Sequence, residues 1–205
     1  MQHLATLLVR LVVLAMWAAV LTSCFGVPTE DNPREYLDQD TAATISIVNH
    51  PLVFARERPE RAVHMRDYVN VAAAAVDRGG TTDYLLITYF WTTLDFHGRE
   101  DESRSLGESD PHAIEMIIIA DDRRIKLKPG TQSPRDLGIG SNVHAPPTGS
   151  AVQSVYRLDL PTLRFLAAAH HLALVKDADN TSAAFELWSD QRASLRGLVK
   201  SLSGQ

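Results

Sequence analysis

The chain has 205 residues, 45% of them apolar and 22% charged. That balance is typical of a folded globular protein and unlike that of a disordered one. Its formal net charge is −5, so it lacks the basic face that phosphate binding requires, and nucleic acid is not an expected partner.

The first segment to read is residues 1–24. Arg10 is the one firmly charged residue before Cys24, and residues 11–21 (LVVLAMWAAVL) are unbroken apolar sequence. A basic start, an apolar core of about 7–15 residues and a small-residue cleavage site make a secretory signal. The competing reading is an uncleaved membrane anchor. It needs about 20 apolar residues and would place Arg10 inside the span, where a charge is costly. The segment ends in Leu21-Thr22-Ser23-Cys24, whose cysteine is the chain's single one. This tetrapeptide resembles the lipobox of bacterial lipoprotein precursors. The resemblance implies cleavage between Ser23 and Cys24, a diacylglycerol on the Cys24 sulfur and acylation of the new amino terminus. Each buried CH₂ contributes about 0.8 kcal/mol, and stable anchoring takes two chains or signals, so such an anchor is effectively permanent. Phe25 follows the cysteine where an aspartate would signal retention at the inner membrane. The expected location is therefore the periplasmic face of the outer membrane. With Cys24 acylated, no thiol remains for a disulfide, an iron–sulfur cluster, a zinc-thiolate site or a nucleophile.

The chain then divides, on this reading, into a tether over 24–40 and a single globular domain over 41–205. Residues 25–39 (FGVPTEDNPREYLDQ) carry the proline and charge of a tether. Strand patterns follow. Ile45 and Ile47 alternate, Pro51 interrupts, and Leu52-Val53-Phe54 resumes. Residues 67–77 (DYVNVAAAAVD) and 83–95 (DYLLITYFWTTLD) flank a Gly79-Gly80 turn and predict a long hairpin. The alanines leave a helix over residues 69–76 as the competing reading. Residues 97–112 are a polar, acidic loop with Glu100, Asp101, Glu102, Glu108 and Asp110. Residues 114–120 and 125–127 predict a second hairpin, and residues 128–150, thick with glycine and proline, predict a long irregular connection. A strand over 152–160 leads to a helix capped by Asp159, with Pro161 in its first turn, running to about His171. Two short strands (172–175 and 183–188) precede a last helix capped by Ser189, with Leu195, Leu198, Val199 and Leu202 on one face. The sum is eight or nine short strands and two helices in the C-terminal third. It predicts a mainly β, α+β fold: an antiparallel sandwich, or a strongly twisted sheet with helices on one side.

No motif in this domain commits it to a reaction. His170 and His171 are adjacent and point about 100° apart on a helix, and His112 and His144 have no Cys, Asp or Glu at ligand spacing, so no metal site and no cofactor are expected. The run Asp177-Ala178-Asp179-Asn180-Thr181 starts like a calcium loop but has Ser182 where glycine and Trp188 where glutamate are needed. Gly138-Ile139-Gly140-Ser141 with His144 places a hydroxyl near a base without the strand–turn–helix setting of a nucleophile elbow. Tyr84, Tyr89, Phe90 and Trp91 put aromatics on both faces of one strand, which predicts a central strand buried on both sides. The alternative is a ligand-binding face on Tyr89 and Trp91.

Tyr36-Leu37-Asp38, Thr41-Ala42-Ala43-Thr44, 51–55 (PLVFA) and Arg66-Asp67-Tyr68 look similar to small lipoproteins of Gram-negative bacteria, a resemblance that brings no activity and no site residue besides Cys24. Three functions are open to such a chain. The first is a non-catalytic envelope lipoprotein that docks a partner protein or maintains the envelope. The second is a ligand-binding lipoprotein using the Tyr89/Trp91 face. The third is a hydrolase using Ser141 and His144.

Overall fold

A computed structural model describes residues 32–58, 65–93, 115–130, 132–141, 143–149, 151–176 and 184–204. All of them belong to the second of two units into which the chain divides, Met1–Glu30 and Asp31–Gln205. Cys24 and Ser23, the acidic loop with His112, and the Asp177–Ser182 turn lie outside the described residues. The described elements are β1 (Arg34–Asp38), β2 (Ala43–Ile47), β3 (Leu52–Glu57), β4 (Arg66–Arg78), β5 (Thr81–Thr92), β6 (Met116–Ala120), β7 (Arg123–Leu127), β8 (Val152–Leu158), helix α1 (Leu160–Ala168), β9 (Leu172–Lys176), β10 (Ala184–Ser189) and helix α2 (Arg192–Ser203). The fold is mainly β, a single curled antiparallel sheet of ten strands with two helices late in the chain.

β4 is the spine. Along one edge it pairs with β5 from Asp67↔Thr92 to Arg78↔Thr81, and β5 pairs onward with β8. Its other edge is shared. β3 covers the N-terminal half, from Glu57↔Arg66 to Leu52↔Val71. β2 covers the C-terminal half, from Ile47↔Ala74 to Thr44↔Asp77. β2 and β3 are in effect one long strand broken at Asn49-His50-Pro51. Proline lacks the N–H that a continuous ladder needs, so the two pieces diverge. β2 goes on to pair with β1, whereas β3 goes on to β10, β9, β6 and β7.

Pairing on both edges decides residues 69–76 in favour of strand over helix. Ala72, Ala73, Ala74 and Ala75 are buried with very small side chains, which keeps both faces of the spine shallow and lets other elements approach closely. One face presents Val71, Ala73, Leu86, Phe54 and Ile118 to Leu166 of α1 and Leu195 of α2. The other presents Val76, Ala74, Leu85, Ile87, Ile45 and Ile47, buried together with Leu137, Ile139 and Val143 of the 128–150 connection. β5 is thus central, with both faces of its middle buried.

Three sequence expectations change. Arg34–Asp38, placed in the tether, is a strand. Arg34, Glu35 and Leu37 are exposed, while Asp38 is buried and Tyr36 packs against the core cluster. α1 stops at Ala168, before His171, because the Asp121 carboxylate takes the N–H groups of His170 (3.0 Å) and His171 (2.9 Å), leaving Ala169 extended. Ser189 ends β10 and does not cap α2. That role falls to Gln191, which makes no side-chain capping bond, and Asp190 accepts from the Arg192 N–H at 3.0 Å. Asp159 does cap α1, accepting from Thr162 N–H at 2.8 Å.

Candidate functional site

The 128–150 connection is irregular in backbone yet firmly docked. The Asp38 carboxylate accepts N–H groups from Gly140 (2.9 Å), Asp40 (3.0 Å) and Thr41 (3.1 Å). Thr41 Oγ1 donates to the Gly138 carbonyl at 2.8 Å, Arg78 Nη1 to that of Asp136 at 2.8 Å, and an Arg34 guanidinium nitrogen to that of Val143. Burial alone would raise the Asp38 pKa, but the bonds from Gly140, Thr41 and Asp40 outweigh it and hold the carboxyl below its ordinary range. Two glycines make the docking possible. Gly138 has φ +89°, and a Cβ there would meet Val76 Cγ1 at 2.7 Å; a Cβ on Gly140 would meet Asp40 Cβ at 2.6 Å and Asp38 Oδ1 at 2.7 Å.

This docking assigns His144 a structural role. Its Nε2–H donates to the Val48 carbonyl at 3.0 Å, and its own carbonyl accepts from Tyr89 OH at 3.2 Å. Ser141 stands exposed on an open depression formed with Gly140, Ile139 and Gln153. The hydroxyl and the ring predicted as a nucleophile–base pair are not joined by a hydrogen bond; the ring points into the fold and the hydroxyl out of it.

Burial lowers the His144 pKa below its ordinary 6.5, the Val48 bond opposing and the Arg34 charge adding. The neutral ring is the folded form. Its contribution to stability is complete above about pH 6.5 and is lost as the pH falls below that value, since the unfolded chain then gains more from protonation. Urea unfolding between about pH 7 and about pH 5 is expected to show this decline, and His144→Gln to flatten it. An unchanged slope in the variant would mean that the ring titrates as if exposed.

The predicted ligand face divides. Tyr89 is 2% exposed beneath the docked connection, and its partner is the His144 carbonyl. Trp91, two residues on, stacks on Tyr68 with centroids 4.2 Å apart and planes 11° apart, and its Nε1–H donates to Asn70 Oδ1 at 3.1 Å. Tyr68 meets Trp188 edge-on at 6.4 Å. The Arg66 guanidinium lies 4.6 Å from the Trp188 ring centroid and pairs with Glu57 at 2.8 Å. Trp188 itself is 59% exposed. It sits at a bulge, where the register of β10 on β3 shifts between Leu187 and Ser189; bulges commonly re-aim a side chain in this way. The result is an aromatic ladder on the sheet face opposite the helices, beyond the reach of the docked connection.

The sequence alone gives Tyr68, Trp188, Arg66 and Asn70 no role in a site, yet their shared face is legible in it. Tyr68 lies between Arg66 and Asn70 at period two, and Trp188 follows Glu186 at the same period, so both aromatics share a strand face with polar residues.

Between sheet and helices lies a narrow apolar cavity of about 20 Å³, room for one water-sized guest. Neither Tyr89 nor Trp91 lines it. His170 and His171 are exposed, held by their backbone N–H groups. Among the described residues no group of three or more His, Cys, Asp or Glu converges on a point, and no helix is long and apolar enough to cross a membrane. No protein-family model, no curated protein and no solved structure matches this chain.

Proposed function

We propose that this chain is a lipid-anchored envelope protein, held at the periplasmic face of the outer membrane by acylated Cys24. Its domain docks a partner protein of the envelope without catalysing a reaction. The observation that carries the docking role is the exposed Trp188, braced by Arg66, Tyr68 and Trp91. Trp, Tyr and Arg are the residue types that dominate binding energy at protein interfaces. Side chains that already hold one another lose less freedom on binding. The lipobox resemblance supports the anchor.

A photo-crosslinking amino acid at position 188 tests the docking role in cells. The expected result is one discrete cross-linked species that disappears with Tyr68→Ala or Arg66→Glu, while a probe at Arg135 yields none. No species at position 188, or one indifferent to both substitutions, overturns the reading. Native mass spectrometry of the extracted protein separates the ligand-binding alternative, which requires a bound small molecule that is lost with Trp188→Ala. For the anchor, Cys24→Ser is expected to leave the precursor uncut and to abolish acyl labelling; unchanged size and labelling would refute it.

A further inference from the structure

The two helices contain Arg164, Arg192, Arg196 and Lys200 and not one Asp or Glu, in a chain that is acidic overall. α2 buries Leu195 and Leu198 against the sheet. Arg192, Arg196 and Lys200 recur every fourth residue, so they form one stripe about 12 Å long, with Arg196 and Lys200 exposed. α1 runs antiparallel beside α2. Arg192 Nη1 donates to the Ala169 and His170 carbonyls at one end (2.6 Å each), and Arg164 Nη2 donates to Ser203 Oγ at the other (3.1 Å). From the sheet margin Arg123 reaches the same layer, with its guanidinium 4.7 Å from the Phe165 ring centroid.

Three carboxylates lie at the margins of this layer, and one of them offsets a cation of the stripe. Asp190 pairs with Arg192, Asp159 caps α1, and Asp121 binds the His170 and His171 N–H groups. Among the described residues Arg164, Arg196 and Lys200 form no ion pair. The opposite face of the sheet exposes Glu57 and Glu186 beside Trp188. That face also carries Arg66 beside Trp188 and Arg34 and Arg78 at the docked connection, so its charge is mixed, whereas the helices themselves carry cations only.

Resting on the anchored reading, we infer that the outer face of α1 and α2 is the membrane-facing surface of the domain, and that its occupant is an anionic phospholipid bilayer. The ten peptide steps from Cys24 to Arg34 reach at most about 33–36 Å. That length is comparable with the width expected of a domain this size, so the tether alone leaves the orientation open. A cationic stripe chooses it, because each Lys or Arg near an anionic leaflet contributes about 1 kcal/mol. In this orientation Trp188 faces away from the bilayer, where a partner can reach it.

The test uses the lipidated full chain in vesicles. With Cys24 acylated, an added cysteine takes a single nitroxide, placed either at Ala168→Cys on the helix face or at Glu186→Cys on the opposite face. In phosphatidylcholine vesicles containing phosphatidylglycerol, the 168 label is expected to be shielded from an aqueous relaxation agent and the 186 label exposed. In pure phosphatidylcholine, or in high salt, both are exposed. The combined variant Arg164→Glu, Arg196→Glu, Lys200→Glu is expected to lower the ratio of docked to undocked domain by at least about 100-fold. If the chain floats with both vesicle types and the 168 label stays aqueous in both, the inference fails and the anchor stands. If it floats only with anionic vesicles, and the charge reversals abolish this, the anchor fails and the helix face stands. Flotation with neither refutes both.

Discussion

Asp67→Ala is expected to destabilise the domain by about 3–5 kcal/mol, the cost of stranding buried charge. In a domain of this size that is a fall of roughly 6–20 °C in Tm. Asp67 is 0% exposed and sits on the helix-side face of β4. Its Oδ2 accepts from Arg56 Nη2 at 2.7 Å and Arg58 Nη1 at 2.8 Å. The Arg56 guanidinium also lies 4.6 Å from the Phe185 ring centroid, so its apolar surroundings keep screening weak. Asp67 Oδ1 and Arg56 Nε have no hydrogen-bond partner among the described residues, so Arg56 Nε gains none when the carboxylate is removed. Removing the carboxylate leaves two guanidiniums crowded in a largely buried place. Asp67→Asn keeps the shape and one acceptor but not the charge, and should fall between the parent and the alanine variant. Urea unfolding measures both. A loss under about 1 kcal/mol for Asp67→Ala, inside the range of an exposed pair, would show that the cluster is solvated in the folded protein.

Gly140→Ala is the second large effect, at about 2–5 kcal/mol from overpacking plus a lost charge-assisted hydrogen bond. The added methyl cannot be placed while Asp38 Oδ1 is 2.7 Å and Asp40 Cβ 2.6 Å from its position. The 128–150 connection must lift, and the Gly140 N–H leaves the Asp38 carboxylate. Hydrogen exchange should locate the damage. The Leu137 and Ile139 amides, bonded within the connection to Pro134 O at 3.1 and 2.9 Å, are expected to lose protection before the amides of β5. Gly149→Ala, with nothing within 4 Å of its Cβ position, is the control. If the two variants exchange alike, the clash is relieved without undocking and the connection is less tightly seated than described.

These two sites differ in how far the sequence announced them. Asp67 opens a strand of apolar alternation and shares the parity of Val69 and Val71, so its burial follows from position. Its partners do not follow, because Arg56 and Arg58 reach it only through the pairing of β3 on β4. Gly138 and Gly140 announce unusual backbone, yet the reason Gly140 must be glycine is the approach of Asp38 from about a hundred residues away. The expected tether hid the strand that carries Asp38, because charge and proline around 25–39 outweighed the short alternation of Tyr36 and Asp38. His144 looks like a base candidate in the sequence for a similar reason. Its type and neighbours are local, but its partners Val48 and Tyr89 are not.

What the sequence determined by itself is what depends on neighbours along the chain. Alternation over 67–77 and 83–95 around Gly79-Gly80 specifies the long hairpin, Pro51 specifies the break between β2 and β3, Asp159 with Pro161 specifies the start of α1, and Leu195 with Leu198 specifies the buried face of α2. Side-chain period and backbone constraint act within a few residues and need no tertiary context. Strand pairing and packing over long range enclose Tyr89 while Trp91 joins Tyr68 and Trp188, bring Asp121 to the end of α1, and set the cations of both helices on one outward face. Each of these outcomes follows from the register of strands distant in sequence and from which face a covering segment reaches. No local pattern encodes that pairing.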